Sequence, residues 1–273
     1  MNILRLALLS LAAVIALTLG THLILEATRP RTTPAVIAPE TAEKSPAGTA
    51  KTDALRGKIE AKLSEAPDYA RFFARLKEAL PSEYDATLDE FVKRAQAGAS
   101  LQNIDFLMSE AVRSLRLSHG AVAAKADGPA LAHIFEVQLA VLRALAGKEP
   151  RLCVDFLYGG ASEGFFNFSA EHRALVADMA IAGLDAIADG QRKKIDRAPP
   201  TDADFDLLEE ELKKRGLNQT EIEALLDGKA PDPPIADPRM CAVGQIYLET
   251  LATLPEPVRL RIYGLAVELM ARS

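Results

Sequence analysis

Four histidines and two cysteines are the side chains of this 273-residue chain best suited to chemistry. His133 and Glu136 stand three apart in an apolar run, a spacing that places both on one helix face. Acid–imidazole pairs of that kind build metal sites inside helical bundles, but a metal needs three or four deprotonated donors. No second Glu-x-x-His and no H-E-x-x-H occurs. The pair therefore reads as a packed or exposed histidine, and no metal or other cofactor is expected. His172 follows Glu171 at a helix start and reads as a surface residue. His119 precedes Gly120 where a helix ends or weakens. His22 lies near the outer end of an N-terminal apolar stretch, where ionisable groups reach the interface.

Cys153 and Cys241 begin two different helices and are separated by 241 − 153 = 88 residues. An even count in an exported chain points to one disulfide, and the alternative is two buried free thiols. No C-x-x-C pair is present, which argues against redox catalysis. The segment LYGGASEGFFNFS joins Gly159, Gly160 and Gly164 to Phe165, Phe166 and Phe168. It lacks the Lys-Ser or Lys-Thr of a phosphate loop, and Ser162 sits in no nucleophile elbow. It reads as a helix–helix connection whose phenylalanines pack back onto the core, with Phe165 and Phe166 as candidate recognition residues. Arg192, Lys193, Lys194 and Arg197 read as cations opposing a helix dipole rather than as a docking site. Glu209–Lys213 and Glu210–Lys214 are favourable pairs on a solvated helix face.

These groups must be held by helices. Tyr69, Phe72, Phe73, Leu76 and Leu80 make one apolar face behind Pro67. Tyr84, Leu88, Phe91, Val92 and Ala95 make the next, after which Gly98 closes the helix and Ser100 can cap its successor. A third stripe runs through Leu101, Ile104, Met108, Ala111, Val112 and Leu115. Asp127-Gly128-Pro129 opens a helix to about Gly147, apolar nearly all round and so central to a bundle. A short helix over 150–157 holds Cys153. A long one over 169–188 is interrupted at Asp189-Gly190. Thr201 with Asp204 and Asn218 with Glu221 look like capping boxes. Residues 227–238 form a proline-rich connector, Pro238 starts the helix of Cys241, and Pro255 and Pro257 precede the last helix. That helix has two apolar sides. Val258, Ile262, Leu265 and Leu269 lie on one, and Leu260, Tyr263, Val267 and Met270 on the other. Either both are buried, or one docks a partner or a second copy. The whole predicts an all-α bundle of eight to ten helices over 53–273.

The N-terminus adds a location. Leu6 to Leu25 carries no formal charge over roughly 20 residues, enough to span a bilayer as a helix. The apolar run continues past Gly20, and the Thr18/Gly20 pair is a poor cleavage site, which favours an uncleaved anchor over 1–27. Residues 28–52, rich in Pro, Ala and Thr, read as a disordered spacer. Arg5 sits before the span and Arg29 and Arg31 after it. The signal-like start places the N-terminus inside and, in a bacterium, the C-terminal domain in the periplasm on a single inner-membrane pass.

A net charge of −6, with no dense basic run and no nucleic-acid motif, argues against a nucleic-acid partner. Three functional readings remain. The first is a tethered helical interaction or scaffold domain with an envelope protein as partner. The second is a domain that binds an apolar, lipid-like ligand. The third is a hydrolase or metal enzyme using His133, Glu136 or His172.

Overall fold

In a computed structural model, residues 46–100, 103–159 and 163–272 are described. The expected membrane span over 1–27 lies outside them, as does the spacer up to residue 45. The described residues form twelve helices and no strand, against the eight to ten expected from the sequence. In order these are α1 (Pro46–Ser64), α2 (Pro67–Ala79), α3 (Pro81–Gln96), α4 (Ile104–Ala123), α5 (Gly128–Lys148) and α6 (Pro150–Leu157). They continue with α7 (Glu163–Glu171), α8 (Arg173–Lys193), α9 (Asp202–Lys214), α10 (Gln219–Leu226), α11 (Asp237–Thr253) and α12 (Glu256–Met270).

Punctuation residues set most of these boundaries. Proline stands in the first turn of α2, α3, α5, α6, α11 and α12, where a missing N–H leaves no bond unmade. Asp127 caps α5 by accepting from the Ala130 N–H at 3.0 Å. Thr201/Asp204 and Asn218/Glu221 close reciprocal capping boxes on α9 and α10. Six sequence expectations change. Asn103, rather than Ser100, caps α4. His119-Gly120 does not end α4, which runs on to Ala123. The phenylalanine half of the Gly/Phe segment is helical as α7, and the chain breaks at His172 instead of running through it. Asp189-Gly190 lies inside α8, and α1 already begins at Pro46.

The bundle has two hubs. α8 packs against α2, α4 and α5. Its buried positions include Ala177, Ala180, Ala182, Ala186 and Ala188, small side chains that let three neighbours approach one helix. Gly190 is the limiting case, because a Cβ there would stand 2.1 Å from the carbonyl oxygen of Val122 on α4. The second hub, α5, packs against α6, α8, α11 and α12. It keeps one solvent stripe, Pro129, His133, Glu136, Ala140, Arg143 and Gly147, while Leu131, Phe135, Val141, Leu142 and Leu145 enter the core. Among the described residues α5 alone is long and apolar enough to cross a membrane, and most of its apolar surface serves this core.

Ion pairs lock the ends of the helices. Arg173 holds Asp105 through two bonds of 2.9 and 2.8 Å, and the Tyr69 hydroxyl donates to the same carboxylate at 2.9 Å. Arg261 grips the buried Asp204 of the α9 cap, and Arg239 grips the buried Glu221 of the α10 cap. Each carboxylate thus serves a helix N-terminus and an arginine at once, so its burial leaves no oxygen unpartnered.

The candidate partner groove

The sequence-predicted chemical groups do not converge on a reaction centre. His133 Nδ1 and Glu136 Oε2 stand 3.3 Å apart on the exposed stripe of α5. Among the described residues no group of three or more His, Cys, Asp or Glu side chains could hold a metal ion. His119 faces Glu83 of α3 at 3.0 Å, and the His172 ring lies 4.4 Å from the Phe168 ring at the α7–α8 break. His22 lies outside the described residues. The sulfurs of Cys153 and Cys241 lie at bonding distance with their Cα atoms 5.6 Å apart, and both residues are buried. This pair clamps the start of α6 to the start of α11.

The two phenylalanines singled out as recognition residues divide. Phe165 stacks between Phe156 and Phe168, with ring centroids at 5.6 and 5.9 Å. Phe166 points outward and is 37 % exposed.

The last helix divides as well. Ile262 is buried in the core, and Val258 packs partly against it. Leu265 and Leu269 are half-buried and outside the core cluster. On the opposite side Tyr263 stacks on Phe135 with centroids 3.9 Å apart, and the Gln138 amide approaches the Met270 sulfur. The two-sided pattern therefore has one face packed throughout against the core and the other only in part.

What lies beside Leu265 is a groove. Gly120 of α4 faces Ala271, Ala124 faces Gly264, and Gly128 faces Leu260, so α4 and α12 run antiparallel in close contact. A Cβ on Gly120 would stand 2.8 Å from Ala271 Cβ. Small residues thus form the floor, and larger ones rise on either side. The α4 wall is an exposed ridge of residues four apart, Arg113, Leu117 and Ala121, continued by Lys125 in the turn after the helix. The α12 wall is Arg261, Leu265, Leu269 and Arg272. Among the described residues Leu117 is the most exposed large apolar one, at 56 %. The groove holds a cleft of ≈ 420 Å³ between Ala121 and Leu265.

A strap closes one end. After Lys194 the chain leaves α8 in a left-handed cap and runs extended to Thr201. Ile195 N–H donates to the Lys125 carbonyl at 3.0 Å, and Arg197 donates to the carbonyls of Ala124 and Ala126. Arg197 therefore satisfies the end of α4, a helix to which it is not covalently adjacent. Arg192 and Lys193 pair with Asp189, and Lys193 also with Asp127. The basic run is thus largely consumed in joining α8 to the α4–α5 turn.

Electrostatics distinguish the two walls. Hydrogen bonding from Arg261 holds Asp204 down at about 2, against the cost of its burial. On the α4 wall, Glu110 is shared by Arg94 at 2.7 Å and Arg113 at 3.4 Å. Arg116 has no ion-pair partner among the described residues. Desolvation by its neighbours and then the like charge of Arg113 push its guanidinium below the usual range. Sequence reasoning missed Leu117 and Arg116, although the signal was present, because Leu117 falls off the apolar stripe of α4 and so had to face outward. No protein-family model matches the chain, and no curated protein or solved structure matches it.

Proposed function

We propose that this chain is a membrane-tethered helical interaction domain that engages a protein partner along the α4–α12 groove. The observation that carries the reading is the unfilled seam itself. Two helices meet through Gly120, Ala271, Gly264 and Ala124, and beside them a cleft of ≈ 420 Å³ opens with Ala121 and Leu265 in its lining. Amphipathic helices dock in grooves of this form. Export is supported by the apolar N-terminal run and by two cysteines paired at bonding distance, since disulfides persist in oxidising compartments. In this reading residues 1–27 hold the domain at the membrane and the segment up to Pro46 sets its reach.

The other two readings have less to rest on. The clefts beside Gly190 and beside Leu265 are open at the surface, whereas a carrier of an apolar ligand needs an enclosed apolar cavity. For a hydrolase or metal enzyme, His133, His119 and His172 each have a local partner and no common substrate position.

The test is a crosslinking pull-down of the intact protein from its native membranes beside the Leu265→Glu variant. A protein recovered reproducibly with the wild type and lost with the variant, at matched thermal stability, supports the reading. Equal recovery with the variant, or an apolar small molecule in place of a protein, contradicts it.

A further inference from the structure

We propose that α1 is a releasable clasp between the membrane tether and the body of the domain: it swings out at Ala66-Pro67 while α2 to α12 stay folded. The release stands on the structure of α1 alone. Its consequence for reach rests on the tethered reading above.

Burial sets α1 apart. Over residues 50–64 only Ile59 and Leu63 are buried, with Leu55 partly covered one turn earlier. These three stand four apart, so α1 offers its neighbours α2 and α3 a single narrow row. α2 is shorter, yet it buries Tyr69, Phe72, Phe73 and Leu76. α8 buries nine residues and packs against α2, α4 and α5. Apolar burial is the main term that holds one helix on another, so α1 is held more weakly than α2 or α8.

Its polar contacts do not make up the difference. Arg56 reaches Asp89 at 2.8 Å and Asp85 at 2.5 Å on α3, and the two carboxylates are 63 % and 64 % exposed. Exposed pairs of this kind contribute little and are screened by salt. The Tyr84 hydroxyl donates to Glu60 at 3.1 Å, and the Gln96 amide donates to Thr52 at 3.4 Å.

The hinge is built into the junction. α1 ends at Ser64, Ala66 is extended at φ −106° and ψ 102°, and Pro67 starts α2. A residue before proline is driven out of the helical conformation, and Pro67 has no N–H with which to continue the ladder of α1. Unwinding of α1 therefore stops at Pro67. The contacts of Tyr69 and Arg173 with Asp105, which seat α2 on α4 and α8, are untouched. α1 is also the first described helix after the tether, so a pull between the membrane and a bound partner loads it first. Release adds residues 46–66 to the tether, roughly 30 Å while they stay helical and more once they unwind.

The experiment is native-state hydrogen exchange, read by mass spectrometry, on the full-length chain in detergent micelles. The amides of residues 59–64 are informative because fraying from the first turn of α1 reaches them last. They are expected to exchange at least about tenfold faster than those of residues 184–188 in α8. Asp85→Lys/Asp89→Lys, at two exposed positions, should speed residues 59–64 a further fivefold or so and leave residues 184–188 and the melting temperature unchanged. Asp85→Glu/Asp89→Glu should keep the wild-type rates. Exchange of residues 59–64 as slow as that of 184–188 overturns the proposal. Charge reversal that accelerates both segments together, or leaves residues 59–64 unchanged, overturns it too. Partner capture at the α4–α12 groove is read separately, so failure here leaves the interaction reading standing.

Discussion

Two seams of this bundle bring helices together through glycine, and they end differently. Between α6 and α11, a Cβ on Gly244 would meet the Leu157 side chain at 2.8 Å, so Leu157 already occupies the space the glycine provides. Gly164 of α7 accommodates Leu152 in the same way, at 2.5 Å. The Cys153–Cys241 pair then clamps the junction. Between α4 and α12, Gly120 meets the small side chain of Ala271, and a cleft of ≈ 420 Å³ opens beside the seam between Ala121 and Leu265. Glycine supplies close approach in both places. A large residue from the other helix seals the first seam, and its absence leaves the second as a groove. An open seam is where a side chain from another molecule can contribute what Leu157 contributes internally.

The contrast can be broken at the sealed side. Replacing Cys153 and Cys241 together with alanine removes a link across 88 residues, and the loop-entropy relation gives a loss of about 4–5 kcal/mol. Chemical denaturation should show it as a lower midpoint, and an unchanged midpoint would mean that the junction needs no clamp. The next largest effect is expected at the contact that positions the α4 wall. Gly190→Ala drives a Cβ into the Val122 carbonyl, backbone that cannot step aside, and should cost about 3 kcal/mol. Thermal melting checks it.

Acid should loosen the α9–α12 corner beside the groove. Asp204 is held at about 2 against 3.8 in its unperturbed state. Its folded-state pKa is depressed, so its contribution is fully present above about pH 4 and is lost as pH falls toward 2. The size is about 2 kcal/mol. Asp204→Asn should lower stability at pH 7 and flatten the decline between pH 4 and 2, which denaturant titrations at a series of pH values would show. The smallest effect on stability comes from converting the open seam into a sealed one. Ala121→Leu places a side chain over the cleft at an exposed position and should change stability by less than about 0.5 kcal/mol while abolishing partner capture. Partner capture surviving that substitution would remove the distinction between the two seams.

Much of the fold was legible because its signals are local. The stripe Tyr69, Phe72, Phe73, Leu76 and Leu80 is buried as its spacing required, and the Thr201/Asp204 and Asn218/Glu221 boxes form where they read. What escaped depends on tertiary contact. Gly120 and Gly190 resemble helix terminators in a one-dimensional reading. In the fold they are interior positions where α12 and α4 approach. Lys214 pairs with Glu211, three residues back, rather than with Glu210. Arg197 reads as part of a basic run, yet it caps a helix more than 70 residues earlier in the chain. Of the candidate partner residues, Leu265 and Leu269 stand at the groove, while Ile262 and Phe165 face the core. The hydrophobic pattern showed two apolar faces and could not show which of them α4 and α5 would cover.

The most direct measurement is maleimide labelling of Ala121→Cys, compared between native membranes and purified protein, with Ala140→Cys on the exposed stripe of α5 as reference. Slow labelling at position 121 in membranes that becomes fast on purification, with position 140 fast in both, is the result expected of an occupied groove. Equally fast labelling at both positions in membranes would contradict it.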